Sequence, residues 1–244
     1  MGESSAAWMK EIAAQFKNGE KFVIVHGGGP HIDAELKVRG IEKKSVNGFR
    51  ITTPEIMHVV EMVLTGTVLR SVVRSLRAEG LPAVGITGSD DGLLEVKVRD
   101  LEKLGLVGEV VKVNPGIIND LLDMGYLPVI SPVANDSAGQ ALNINADIAA
   151  GALAGALRAN QMLFMTDVPG IYAQWPDKDS LISTISASEL ESMKATFAEG
   201  MAPKVQACLD AIDGGASAVR IIDGTDPSAF AAALGNSGGT LVTK

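Results

Sequence analysis

Three successive glycines, Gly27, Gly28 and Gly29, follow the apolar run FVIV (22–25) and precede Pro30. Proline suits the first position of a helix. Glycine admits positive φ and lets a ligand come close to the backbone. The N–H groups that open the following helix have no partner within it and attract an anion. The pattern is neither Gly-x-Gly-x-x-Gly nor a P-loop, because no Gly-Lys-Ser/Thr follows. A tight strand-to-helix turn would use the same residues. The chemistry indicated is the holding of a negative group, so the cations near such a loop are the next residues to find.

Four further stretches carry polar groups at suggestive spacings. In LNINAD (142–147), Asn143, Asn145 and Asp147 occupy alternate positions, so on an extended segment their side chains share one face. They form a ledge of two amides that can bind a substrate and one carboxylate that can orient a cation; alternatively Asp147 is the N-cap of the small-residue helix that follows. Pro203 starts a helical pattern and places Lys204 in its first turn, where a cation opposes the helix dipole. A bound anion would reverse that sign. Gly48 makes a turn and Arg50 follows on an extended segment; arginine suits bidentate recognition of a carboxylate. A strand ends at Thr166-Asp167 and turns through Pro169-Gly170, where ligands collect in parallel sheets, although Pro-Gly alone also makes a type II turn.

These groups need elements to position them. Short Val- and Ile-rich runs at 22–25, 83–87, 127–131, 161–166 and 218–222 read as strands covered on both faces. Helical patterns lie between them at 5–17, 31–39, 54–79 with a break near Gly66, 115–124, 147–159, 187–196, 203–214 and 226–234. The alternation predicts an α/β fold, a mainly parallel central sheet sandwiched by helices. LLEVKV (93–98) and LVGEVVKV (106–113) alternate apolar and polar residues and predict a β-hairpin in the N-terminal lobe. A change to Ala/Gly-rich composition near Asn135 divides the chain into two lobes, 1–134 and 135–244, with a cleft between them. The spacing Gly151–Gly155 predicts close packing of its helix on the sheet.

Composition excludes several classes. A net charge of -8 argues against a nucleic-acid surface. Cys208 is the only cysteine, which sets a reducing cytoplasm as the expectation. The N-terminal residues lack a signal-peptide pattern, and the purest apolar stretch, 148–157, is too short to span a membrane. His26, His31 and His58 have no metal-ligand spacing, no Gly-x-Ser-x-Gly elbow occurs, and Cys208 lies on an apolar helix pattern. Acid–base and nucleophilic catalysis thus lack machinery. Phosphoryl transfer needs little beyond positioning and charge stabilisation, which glycine N–H groups, a lysine and a carboxylate can supply.

HGGGP (26–30), GFRITT (48–53), GITG-x-D (85–90), LNINAD (142–147), TDVPGI (166–171) and GMAPKV (200–205) occur in this order. Together they resemble the acetylglutamate kinases of the amino acid kinase family, from about residue 20 to GTLV (239–242). The resemblance implies transfer of the ATP γ-phosphate, with Mg²⁺ travelling on ATP, to the side-chain carboxylate of N-acetyl-L-glutamate in arginine biosynthesis. It implies that Gly28 and Gly29 donate to the phosphoryl group and the acyl substrate. Lys204 neutralises nucleotide phosphates, Asp147 orients it, Arg50 pairs with the substrate α-carboxylate, and Asn143, with Asn145 beside it, binds the acetylamino end. Thr166, Asp167, Val168, Gly170 and Ile171, with Gly200 and Met201, would hold the nucleotide. The implied assembly is a homodimer or larger. An acetylated aminoadipate is the nearest alternative substrate, and a weak ligand-binding relative the alternative from another class. The family also carries an initial strand of the form Lys-x-Gly-Gly. No such motif precedes residue 20 here, and Lys10 and Lys17 fall in a helical pattern. The resemblance therefore implies one transition-state cation fewer, with a truncated start favoured over an impaired enzyme.

Overall fold

The computed structural model describes residues 3–194, 197 and 201–244. Its strands are β1 (Ile24–Val25), β2 (Ser45–Val46), β3 (Phe49–Arg50), β4 (Ala83–Thr87), β5 (Leu94–Val98), β6 (Val107–Val113), β7 (Leu127–Ser131), β8 (Val133–Asn135), β9 (Ala141–Ile144), β10 (Met162–Thr166), β11 (Thr184–Ser186), β12 (Val219–Asp223) and β13 (Thr240–Thr243). The α-helices are α1 (Glu3–Lys17), α2 (Gly29–Val38), α3 (Pro54–Glu61), α4 (Leu69–Ala78), α5 (Leu101–Leu104), α6 (Gly116–Asp123), α7 (Ala146–Ala156), α8 (Ala187–Met193), α9 (Ala202–Gly214) and α10 (Pro227–Leu234). The expected helix over 187–196 runs to Met193; residues 195–196 lie outside the described residues.

The α/β architecture follows from the apolar runs. In β7 all five residues are buried, because β1 and β4 both pair with it in parallel and meet at Val129. A strand covered on both faces has no solvent side and needs no alternation. A second sheet has the order β10-β12-β13-β11, with β10 parallel to β12. The parallel strands thus fall in two sheets, and β1 and β10 are each an outer strand among the described residues. Helix α7 packs against both of them. The predicted hairpin is β5–β6, antiparallel, in a further sheet of order β5-β6-β9-β8.

The sequence break near Gly66 is not a break. The helix continues from α3 through a π-helical segment, Met62–Val68, into α4. Such wider turns recur at functional sites, and this one puts Leu64 against the glycine loop. By length and composition alone the run Pro54–Ala78 could cross a membrane; 56% of its apolar window is buried inside the fold, as in a core helix.

Two apolar cores divide the molecule. Ala149 and Leu153 of α7 belong to one, Ala154 of the same helix to the other. Helix α7 packs extensively on α9. A Cβ on Gly151 would lie 2.4 Å from the Ala207 carbonyl oxygen, and one on Gly155 would lie 2.8 Å from Gly214 Cα. The Gly151–Gly155 spacing therefore serves helix–helix contact, which corrects the expectation of packing on the sheet. Small residues let two backbones approach where a sheet would have met side chains.

Cys208 is fully buried in the α9 face of this contact. Burial, and then the Asp147 carboxylate, push its thiol up to about 12. At pH 8 the thiolate is roughly one part in 10⁴. Native protein is expected to leave a thiol reagent such as Ellman's unreacted over minutes, and to release one equivalent after unfolding. Rapid reaction of the native chain would contradict the core assignment.

Candidate active site

The glycine loop leaves β1 at Val25 and enters α2 at Gly29, with Pro30 in the first turn as expected. Gly28 is the N-cap and no side chain caps this helix, so its first N–H groups stay free for a ligand. A Cβ on Gly28 would sit 2.5 Å from Leu64 Cδ2, whereas one on Gly29 would meet nothing within 4 Å. Gly28 is thus a packing requirement, and Gly29 faces open space where a ligand can approach. The loop borders a cavity of about 200 Å³ that Arg50, Leu64, Asn143, Asn145 and Asp147 also line.

Arg50 reaches this cavity from the hairpin β2–β3. The two-residue connection Asn47-Gly48 has φ of 50° and 79°, which fits the primed turn that Asn-Gly favours. The Arg50 side chain is only 11% exposed. Its Nη2 lies 2.5 Å from Asp33 Oδ1, and Lys43 Nζ donates to Asp33 Oδ2 at 2.7 Å. Burial works to raise the Asp33 carboxyl, but the Lys43 and Arg50 contacts outweigh it and hold the group below its ordinary range. Arg50 Nη1 is buried and has no partner. A guanidinium anchored on one side with a desolvated N–H on the other is poised for an incoming carboxylate. Asp33 was missed in the sequence. The available signal was its place on α2, one turn after Gly29.

Asn143, Asn145 and Asp147 all line the cavity, as their alternation predicted. Asn143 Nδ2 donates to the fully buried Thr52 hydroxyl at 3.1 Å, and that hydroxyl donates to the Arg50 carbonyl at 2.8 Å. This chain ties the Asn143 side chain to the Arg50 backbone. The N-cap of α7 is Asn145, whose Oδ1 accepts from the N–H groups of Asp147 and Ile148 at 2.9 and 3.1 Å. The alternative of Asp147 as N-cap is thereby corrected. Asn145 spends its oxygen on the helix, which leaves its amide nitrogen as the group available to the cavity.

Capping by Asn145 frees Asp147 for another partner. Lys204 Nζ donates to Asp147 Oδ2 at 2.8 Å, with side chains 25% and 26% exposed respectively. Lys204 lies in the first turn of α9, after Met201 as N-cap and with Pro203 beside it. The carboxylate offsets the unfavourable dipole and fixes the ammonium at the cavity wall. Residues 57 positions apart in sequence thus form one charged pair beside the glycine loop.

Other predicted residues are placed differently. Thr166 ends β10 and its hydroxyl donates to Asp167 at 3.0 Å. Ile171 is 1% exposed and its N–H donates to Thr240 Oγ1 at 2.8 Å, so its side chain is core. A Cβ on Gly170 would lie 2.4 Å from that same hydroxyl oxygen. Thr166, Asp167, Val168, Gly170 and Ile171 line neither of the two cavities described here. Gly200 lies outside the described residues. Among the described residues no group of three or more His, Cys, Asp and Glu side chains could hold a metal ion.

A family model described as the amino acid kinase family matches residues 2–223. The chain is 51% identical over 237 residues to the acetylglutamate kinase of Arthrobacter sp. (strain FB24), covering 92% of this chain and 76% of that protein. Among solved structures it resembles smu.665 from Streptococcus mutans UA159, with a TM-score of 0.83, 25% identity, and 98% and 95% of the two chains covered. The fold also matches carbamate kinase from Giardia lamblia bound to AMP-PNP, with a TM-score of 0.71, 22% identity, and 99% and 88% covered.

Proposed function

The chain belongs to the amino acid kinase family, and from that premise we propose that it transfers the γ-phosphoryl group of ATP to the side-chain carboxylate of N-acetyl-L-glutamate. A carboxylate oxygen attacks the γ-phosphorus, the bond to the ADP oxygen breaks, and the products are an acyl phosphate and ADP. The observation that carries this reading is the convergence of three features on one cavity: unpaired glycine-loop N–H groups, the Lys204–Asp147 pair, and the free Nη1 of Arg50. Arg50 receives the α-carboxylate and Asn143 the acetylamino end, so the side-chain carboxylate points to the loop. The N–H groups of Gly28 and Gly29 steady the transferring group, and Lys204 balances charge on the nucleotide. Mg²⁺ fits as a companion of ATP, since it binds mainly through phosphate oxygens and water. Thr166, Asp167 and Met201 belong to the nucleotide side in this reading. The same proposal includes a homodimer or larger assembly, checked by light scattering, and a cytoplasmic setting.

A coupled assay for ADP release with N-acetyl-L-glutamate tests the reaction. Within it, Arg50→Ala is expected to raise KM for the acyl substrate by about 10–100-fold, the loss of a charge-assisted hydrogen bond of about 1.5–3 kcal/mol. KM for ATP should stay within about threefold. An equal loss for both substrates would remove Arg50 from its assigned role.

A further inference from the structure

A second, larger cavity of about 1270 Å³ lies between the two parallel sheets. It exceeds the roughly 300–1,000 Å³ of small-molecule pockets. On one side are Phe22 to His26, the strand β1 and its approach; on the other are Gln161 to Met165 of β10. Ala150, Leu153 and Ala154 of α7 line it between them, and Trp8 of α1 borders it as well. Each flanking strand is the last of its sheet, so each presents an unpaired row of backbone N–H and C=O groups among the described residues. Unpaired ladder groups in an apolar setting are costly. A single helix, α7, packs against both strands. A helix is about 10–12 Å across, close to twice the ~4.8 Å spacing of neighbouring strands. The interval that one helix underlies is therefore about one strand wide. Moreover His26, only 8% exposed, has its Nδ1 donating to the Gly27 carbonyl at 2.8 Å, while its Nε2 is buried without a partner.

We propose that this cavity binds one extended peptide segment, supplied from outside the described residues, which inserts as a strand between β1 and β10 and joins the two sheets. The occupant is defined by the chemistry on both sides. Only an extended backbone satisfies two facing ladders at once, as in strand addition to sheet edges. Apolar side chains such as Val and Ile suit a strand covered on both faces. Five to seven residues match the length of β10 at about 3.3 Å per residue. His26 Nε2 offers an acceptor to one of its donors. Gly27 and Asp147 border both cavities, so the bound strand abuts the active site. This inference stands on the sheet edges and does not depend on the reaction proposed above.

Trp8 makes a local reporter. Trp175, the other tryptophan, is 67% exposed and rests on Tyr172, so Trp175→Phe leaves Trp8 alone to emit. This variant is titrated with the synthetic peptide acetyl-Lys-Val-Ile-Val-Val-Lys-amide. The expected result is a saturable change in Trp8 emission and a melting temperature that rises with peptide concentration. The same peptide N-methylated at alternate residues loses the donors of one ladder and should bind at least tenfold more weakly. Ala150→Phe, added to the same background, fills the cavity from α7 and should weaken binding at least tenfold. The inference is overturned by no saturable change up to the solubility limit of the peptide. Equal binding of the N-methylated peptide also overturns it, because that would mark apolar adhesion without strand pairing. Undiminished binding to a folded Ala150→Phe variant would place the peptide elsewhere, with the same consequence.

Discussion

Lys204→Ala is expected to lower kcat by about 10²–10³-fold, the loss that follows removal of one preorganised group facing developing charge. The pair it forms with Asp147 spans α9 and α7 at 2.8 Å and is three-quarters buried on both sides. In the folded protein the ammonium is held in place before substrate arrives, so little reorganisation is needed during transfer. Stability should change far less than rate. Lys204 opposes the α9 dipole, and its removal relieves that cost of a few tenths of a kcal/mol while leaving Asp147 to recruit water. Lys204→Arg keeps the charge but brings a planar fork to a site built for a point donor, and should recover only part of the activity. Kinetics with both substrates varied, alongside a melting curve, separates these effects. A folded Lys204→Ala enzyme with wild-type kcat and nucleotide affinity would take Lys204 out of the mechanism.

Gly151→Val is expected to destabilise the fold by about 1–3 kcal/mol or more, because overpacking forces backbone to move. Its first added atom would fall 2.4 Å from a carbonyl oxygen of α9, which no rotamer can avoid. For a chain of this length the melting temperature should drop by about 2–4 °C for each kcal/mol. The change also reaches the reaction. Gly151 is one turn from Asp147 on α7, and Ala207 is three residues from Lys204 on α9. Pushing the helices apart lengthens the Asp147–Lys204 bond without touching Arg50. The variant should therefore lose kcat while its KM for N-acetyl-L-glutamate stays within about threefold. Gly29→Ala is the comparison: its Cβ meets nothing, and its stability should stay within about 0.5 kcal/mol of the parent. Equal melting temperatures for the parent and Gly151→Val would show that the α7–α9 contact is looser than the structure has it.

The glycine loop, the ledge 143–147 and the two basic residues were legible because each depends on local chemistry. Glycine before Pro30 marks a strand-to-helix turn, and alternation puts Asn143, Asn145 and Asp147 on one face wherever the strand goes. Buried strands were legible for a related reason, since β7 and β12 need apolar side chains at nearly every position. Partner choice was not legible. Asn145 and Asp147 are both good caps, and which one turns to the helix depends on where Lys204 arrives from α9. Asp33 was hidden because an acidic residue on an amphipathic helix has no mark of its own until Arg50 and Lys43 close on it.

The sequence by itself determined the α/β class, the anion-holding loop and the residue types at the site, since these follow from periodicity, glycine and proline geometry, and charge. Only the tertiary structure decided that α7 packs on α9 through Gly151, that Asp147 meets Lys204, and that β1 and β10 end as facing, unpaired edges. Those outcomes depend on which distant backbones can approach one another. That is set by packing across the whole molecule, and no local stretch of residues encodes it.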